Sequence, residues 1–277
     1  MSQFQVDDLI IRGLNRDLRD YDGITKEMVR VQNRTSSVNP EKSLKHDDTF
    51  QLLEKYKGRK ARDIEKALKY WPIWTEWLAN VPGAGPYIAG NLIMLYYYKF
   101  VPICKKCGSD IVRESEEEDS FECPKCGKVK GDGLLQHRIQ EVDFPKISNW
   151  WSYCGRAPVD GKIPKRKKGN KSNWSSRGRQ VSWQFSEQVN RHKATEPYKA
   201  FVLKEKAILE EKRPEIKKGH RHNMAANKVA KLFLSHFWQV ARVIAGKPVT
   251  EPYSMAHLGH VGMIDPFYWD VDQEIAA

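Results

Sequence analysis

Val81–Met94 reads VPGAGPYIAGNLIM, and the fold turns on how its two glycines and two prolines are taken. A short apolar stretch ending in Trp77 and Leu78 runs into Pro82-Gly83-Ala84-Gly85. Two glycines bracketing one small residue allow a bend that most side chains would forbid. Pro86 brings the fixed φ of a first helical position, so a helix starts there and carries Ile88, Ala89, Leu92 and Ile93 inward. The amides around Gly83, Ala84, Gly85 and Tyr87 then stand at a helix N-terminus without intrahelical acceptors, which is where anions bind.

Upstream, apolar residues at three- and four-residue spacing predict helix from an N-cap at Asp48 through Trp71, with Phe50, Leu53, Tyr56, Ile64, Leu68 and Trp71 inward and a break at Gly58. Residues 72–79 form a third short helix whose tryptophans have core spacing. Residues 1–47 read as a polar, irregular arm, through Arg30–Ser37 and Asn39-Pro40. Downstream, residues 143–155 give a short amphipathic helix ending at Gly155. Helical patterns return from Arg179, from Tyr198 to Glu211, and from about His222 to Ala245. Among the histidines, His220 and His222 read as solvent-exposed, without a nearby cysteine or acidic partner. The tail after Pro252 packs its aromatics on the body.

Between these helices stand Cys104-Lys-Lys-Cys107-Gly and Cys123-Pro-Lys-Cys126-Gly, separated by fifteen residues. Each Cys-x-x-Cys turn puts two thiolates on one side of a knuckle, and the following glycine gives the positive φ that the knuckle needs. Two knuckles make a four-sulfur site for a structural Zn2+, with no position left open for catalysis. The intervening segment from Arg113 to Ser120 is acidic and faces away from any polyanion; Lys105, Lys106, Lys125, Lys128 and Lys130 are better placed for one. Cys154 reads as a small buried residue outside the site.

The densest charge is Arg156–Arg179, with nine basic residues and one acid, interrupted by Gly161, Pro164, Gly169 and Asn170. Such a run repels itself, and several phosphates would order it while releasing counterions. Lys162, Lys165, Arg166, Lys167, Lys168, Lys171, Arg177 and Arg179 are the candidate contacts, and Trp174 either stacks on a base or anchors the loop. Over the whole chain 47 Lys and Arg face 35 Asp and Glu, a balance of +12 that favours a polyanionic partner. With 277 residues and 40% apolar content the chain has material for a real core. No apolar run approaches the ~20 residues of a membrane span, and Asp7 and Asp8 stand where a secretory signal would be basic. Together with four cysteines in metal spacing this predicts a cytoplasmic, nucleoid-associated protein with no membrane partner.

The bend VPGAGPYIAGNLI resembles a helix-hairpin-helix motif, whose amides grip the DNA backbone without reading bases. Several further pieces come in the order of the C-terminal domain of the insertion-sequence one-ten family of transposases. They are Asp143-Phe144, Tyr153-Cys-Gly155-Arg-Ala157-Pro158, Ser175-Ser-Arg177-Gly178, and Asn227-Lys-Val-Ala-Lys231-Leu-Phe-Leu on to Gly246 and Tyr253. The resemblance spans about residues 74–253 when the zinc ribbon is treated as an insertion. It implies duplex DNA as partner, with structured RNA a second candidate, and a homo-oligomer or a chain bearing the family's RNase H-like nuclease domain as protein partner. That domain has no counterpart in the residues before the bend. Nor does Val159-Asp-Gly-Lys-Ile163 hold the family's serine nucleophile.

The expected architecture is therefore mainly α, a helix-hairpin-helix-containing helical domain with an inserted small β zinc ribbon. Its divisions are an arm over 1–47, a helical segment over 48–100, the ribbon over 101–135, a transposase-like helical domain over 136–253 and a tail over 254–277. The expected function is DNA-backbone binding without self-sufficient catalysis. One alternative is a transposase or recombinase using Ser175 or Ser176 as nucleophile, which needs an activating base. Another is a protein-interaction scaffold that docks partners through the ribbon.

Overall fold

The computed structural model describes residues 5–38, 47–113, 121–129, 135–159, 161–166, 172–191, 196–250 and 264–267. The chain is mainly helical and forms two compact units, one of Met1–Leu92 with Phe144–Ala277 and one of Ile93–Asp143. Its helices are α1 (Asp8–Val38), α2 (Asp48–Leu68), α3 (Pro72–Glu76), α4 (Pro86–Tyr97), α5 (Ile147–Tyr153), α6 (Ser176–Arg191), α7 (Tyr198–Lys212) and α8 (Lys218–Ile244). Among the described residues, no helix is long and apolar enough to cross a membrane.

In the larger unit, α8 is the element the others pack on. It buries Ala225, Ala226, Val229, Ala230, Phe233, Leu234, Phe237, Trp238, Val240 and Ala241, and meets α3, α5, α6 and α7. The core is aromatic. Phe185 of α6 stacks on Phe233 with centroids 3.6 Å apart, Trp77 lies against Phe233 and Phe237, and Trp150 of α5 stacks on Phe237 at 5.9 Å. Pairs with centroids about 4.5–7 Å apart, as Trp77 and Trp150 make, add ~0.5–1.5 kcal/mol each beyond burial. The tryptophans Trp71, Trp77 and Trp150 are fully buried, as core spacing requires.

The expected arm is instead the 31-residue helix α1, lying along α2. Ile11, Leu14, Leu18 and Val31 are buried at helical spacing, but charged residues between them dilute the pattern in sequence. Asp7 caps its start, accepting from the Leu9 N–H at 2.6 Å. The break expected at Gly58 is also absent, because α2 runs through it. One glycine costs a helix ~1 kcal/mol, which packing along α1 outweighs. The cap of α2 is Asp47, accepting from the Phe50 N–H at 3.0 Å, one residue before the position predicted. Tyr56, expected inward, is 47% exposed.

The bend between Trp77 and α4 combines a 3-10 turn over Leu78–Asn80 with Gly83 at φ +90°. After α5 the chain turns at Gly155, φ +63°, where the Gly155 N–H reaches Ser152 O at 2.9 Å and the Arg156 N–H reaches Trp151 O at 2.8 Å. These two bonds are the Schellman termination that a glycine just past a helix provides. Of the tail, only 264–267 are described: Trp77 Nε1 donates to Pro266 O at 2.8 Å.

In the smaller unit, β1 (Tyr98–Cys104) pairs antiparallel with β5 (Leu135–Glu141), Tyr98 opposite Glu141 and Cys104 opposite Leu135. The strands β2 (Val112–Arg113), β3 (Phe121–Cys123) and β4 (Gly127–Val129) form a second antiparallel sheet. Of the acidic segment expected from Arg113 to Ser120, residues 114–120 lie outside the described residues.

Candidate metal centre and nucleic-acid interface

The end of β1 and the turn after it carry Cys104 and Cys107, and β3 with its following turn carries Cys123 and Cys126. Their four Sγ atoms lie within 4.8 Å of one another, with Cys107 and Cys123 at 3.4 Å. A tetrahedral ion at ~2.3 Å from each thiolate needs sulfurs about 3.8 Å apart, so the donor set fits a single ion with every position filled. Gly108 and Gly127 have φ of +70° and +76°, as the knuckles require. The Ser109 hydroxyl pulls the Cys107 thiol down to about 6, whereas Cys107 and burial push Cys126 up to about 12. Clustered thiols thus resist ionising together, which a bound cation reverses. Cys154 is not part of this set: it is fully buried in the larger unit, where burial raises its thiol.

The first turn of α6 organises the other site. Ser175 Oγ accepts from the Gly178 N–H at 3.1 Å and so caps the helix, while the Ser175 N–H donates to Tyr153 O at 2.7 Å. Gly178 admits the close approach of α5, since a Cβ there would stand 3.0 Å from Cys154 Sγ and 3.3 Å from its Cα. Ser175 is therefore occupied as a cap and Ser176 is exposed; among the described residues neither hydroxyl has a histidine or carboxylate beside it to act as base.

Arg177 and Arg179 lie two positions apart, ~200° round the helix axis, and meet different surroundings. Arg177 Nη1 donates to Asp22 Oδ1 at 2.9 Å and to the Tyr87 hydroxyl at 2.7 Å, and Nη2 donates to Asp22 Oδ2. Tyr87 in turn donates to Asp22 at 2.5 Å and stacks on Tyr21 at 4.6 Å. Burial lowers Arg177's affinity for its proton, but Asp22 and Tyr87 more than offset this and its pKa rises. Burial, then the bond to Asp22, raises Tyr87 strongly. Both residues, expected as phosphate contacts, are committed to a carboxylate from α1. Ala84 is also withdrawn, because its N–H donates to Val81 O at 3.0 Å within the bend.

Arg179 faces the other way. Its guanidinium carbon lies 4.9 Å from the Trp174 ring centroid, and its Nη1 holds Pro164 O of the basic loop. Arg166 lies over the same ring at 5.5 Å, and the ring rests on Gly155, so Trp174 is an anchor for the loop. Arg156, 3% exposed, lies over the Trp183 ring and donates to Ser182 Oγ at 2.8 Å, Asn227 Oδ1 at 3.1 Å and Arg179 O at 2.7 Å. Burial, then Arg179, lowers its pKa to about 10. Lys231 of α8 sits 4.1 Å from the Trp151 ring centroid, and burial lowers its pKa. Lys162 and Lys165 are exposed, while Lys167, Lys168 and Lys171 lie outside the described residues.

Arg156 and Lys231 are the residues that sequence reading missed. Both stood in the quoted motifs, but nothing in a linear sequence distinguishes a buried strut from one more charge in a basic run. His222 also departs from expectation, pairing with Glu187 of α6 at 3.2 Å. His236 is buried, with Nδ1 2.7 Å from the Tyr198 hydroxyl and Nε2 2.9 Å from Ile264 O. No protein-family model, curated protein or solved structure matches this chain.

Proposed function

We propose that this chain binds duplex DNA by its phosphate backbone, with weak dependence on sequence, through the first turn of α6, the loop at 161–166 and the Trp151–Lys231 contact. One observation carries the reading. Several other arginines and lysines meet acids: Lys60 with Asp17 and Asp20, Arg138 with Asp110, Arg177 with Asp22, Arg221 with Glu210, Lys228 with Glu205; Lys57, Arg59 and Arg242 lie singly on aromatic rings, and Lys199 and Lys206 on neutral acceptors. Arg156, Arg166, Arg179 and Lys231 instead rest on tryptophan faces and neutral acceptors, with no carboxylate partner among the described residues. Cations held in place and short of counter-charge attract a polyanion, and aromatic faces fix their direction in advance.

The bend supplies a second grip of the helix-hairpin-helix kind. Among the described residues the N–H groups of Gly83, Gly85, Tyr87 and Ile88 have no backbone acceptor, and Gly85 is exposed. The resemblance to transposases points the same way as to ligand. Self-sufficient strand cleavage is not part of the proposal, since among the described residues neither serine hydroxyl is hydrogen-bonded to a histidine or carboxylate. In the smaller unit the ion is Zn2+, favoured by four thiolates, and its role is structural.

A duplex titration by fluorescence anisotropy over a range of salt tests this. Contact with about six phosphates gives a log K against log salt slope of roughly −5. Lys165→Gln with Arg166→Gln makes it shallower by about 2 and weakens binding to every sequence alike. A flat salt response in the unsubstituted protein overturns the reading. Folded RNA competing as well as duplex DNA would replace DNA as the partner.

A further inference from the structure

We infer that Asp22 is an intramolecular counter-anion that closes a phosphate subsite made by Arg177 and Tyr87; the inference rests on the nucleic-acid reading above. Three donors converge on this one carboxylate: both Nη atoms of Arg177 and the Tyr87 hydroxyl. A fork of two guanidinium N–H groups with a neighbouring hydroxyl is equally the donor set for two oxygens of a phosphate. The site is reachable, for the Arg177 side chain is 34% exposed. It also lies two residues from Arg179, which has no acidic partner among the described residues, so the carboxylate divides one helical turn into a neutralised and an unneutralised half.

The carboxylate is not what holds α1 in place. Leu14 and Leu18 are buried against α4, where a Cβ on Gly90 would stand 3.2 Å from Leu18 Cδ2 and 3.5 Å from Leu14 Cδ1. Lys60 of α2 ties Asp17 and Asp20, each at 2.8 Å, and Tyr21 stacks on Tyr87. With the helix docked independently, an acid directed at Arg177 has one evident consequence: it occupies the donors that a DNA strand reaching α6 would use. Binding at this subsite then means exchanging Asp22 for phosphate, so the intact protein holds DNA less tightly than its donors allow.

Removing the negative charge separates this from a purely structural ion pair. Asp22→Asn keeps the side-chain shape, and in the full-length protein we expect duplex DNA to bind about fivefold tighter or more, with a salt slope steeper by about 0.9, one additional phosphate. Asp22→Ala should do the same, and thermal unfolding of each variant reports whether the fold is kept. A structural pair predicts the opposite sign, with affinity unchanged or reduced. Unchanged or weaker binding by whichever variant remains folded overturns the inference. That outcome is distinct from failure of the nucleic-acid reading, in which the unsubstituted protein itself shows no salt-dependent binding.

Discussion

Replacing Gly155 by alanine probes the joint on which the basic loop rests. Two costs add. At φ +63° an L-residue sits in the left-handed region, a penalty of about 1–2 kcal/mol. The new methyl carbon would also stand 2.9 Å from Trp174 Cε3 and 3.0 Å from Cδ2. Carbon atoms prefer about 3.5–4.0 Å, so the ring must retreat, and forced overpacking costs ~1–3 kcal/mol. Together about 2–5 kcal/mol is lost, which for a chain of this size lowers Tm by roughly 5–15 °C. Because Arg166 and Arg179 both lean on that ring, DNA affinity should fall as well. The assay is a double-mutant cycle by chemical denaturation with Trp174→Ala. The three atoms nearest to that methyl all belong to the ring, so without it the double variant should be at least ~1 kcal/mol more stable than the sum of the single effects. Strict additivity would refute the reasoning, since it would mean that Gly155 and Trp174 do not touch.

Acid should destabilise the larger unit through His236, whose pKa burial lowers to about 4. Between that value and the ordinary ~6.5 the unfolded chain binds a proton that the folded chain refuses, so stability is full above pH 6.5 and falls as pH drops towards 4. From pH 7 to 5 the loss is about 2 kcal/mol, and His236→Phe should flatten that part of the curve; an unchanged slope by calorimetry would locate the titration elsewhere. For the metal centre, elemental analysis of the purified chain should find one equivalent of zinc. Cys123→Ser should lose it, and the same content in both proteins would disprove four-cysteine coordination.

The cysteine pairs, the glycine bend and the order of the helices were legible in sequence because each rests on local rules. Knuckle spacing, a proline at the first position of a helix and periodic apolar residues concern neighbours a few positions apart. The four predicted cysteines accordingly come together, their sulfurs within 4.8 Å of one another. Helix α1 was hidden because its apolar stripe is sparse, and only packing along α2 makes that stripe sufficient.

The amino-acid sequence by itself determined where charge is concentrated, but not which charges are spent. Nine basic residues in one run look alike on paper; in the fold Arg177 meets Asp22, 155 positions away, Arg156 disappears beneath Trp183 and Arg179, and Arg179 lies on Trp174. Whether a cation keeps an unmet demand for an anion depends on what stands within a few ångströms of it. That distance is set by how α1, α4, α6 and α8 pack, and no local pattern contains it.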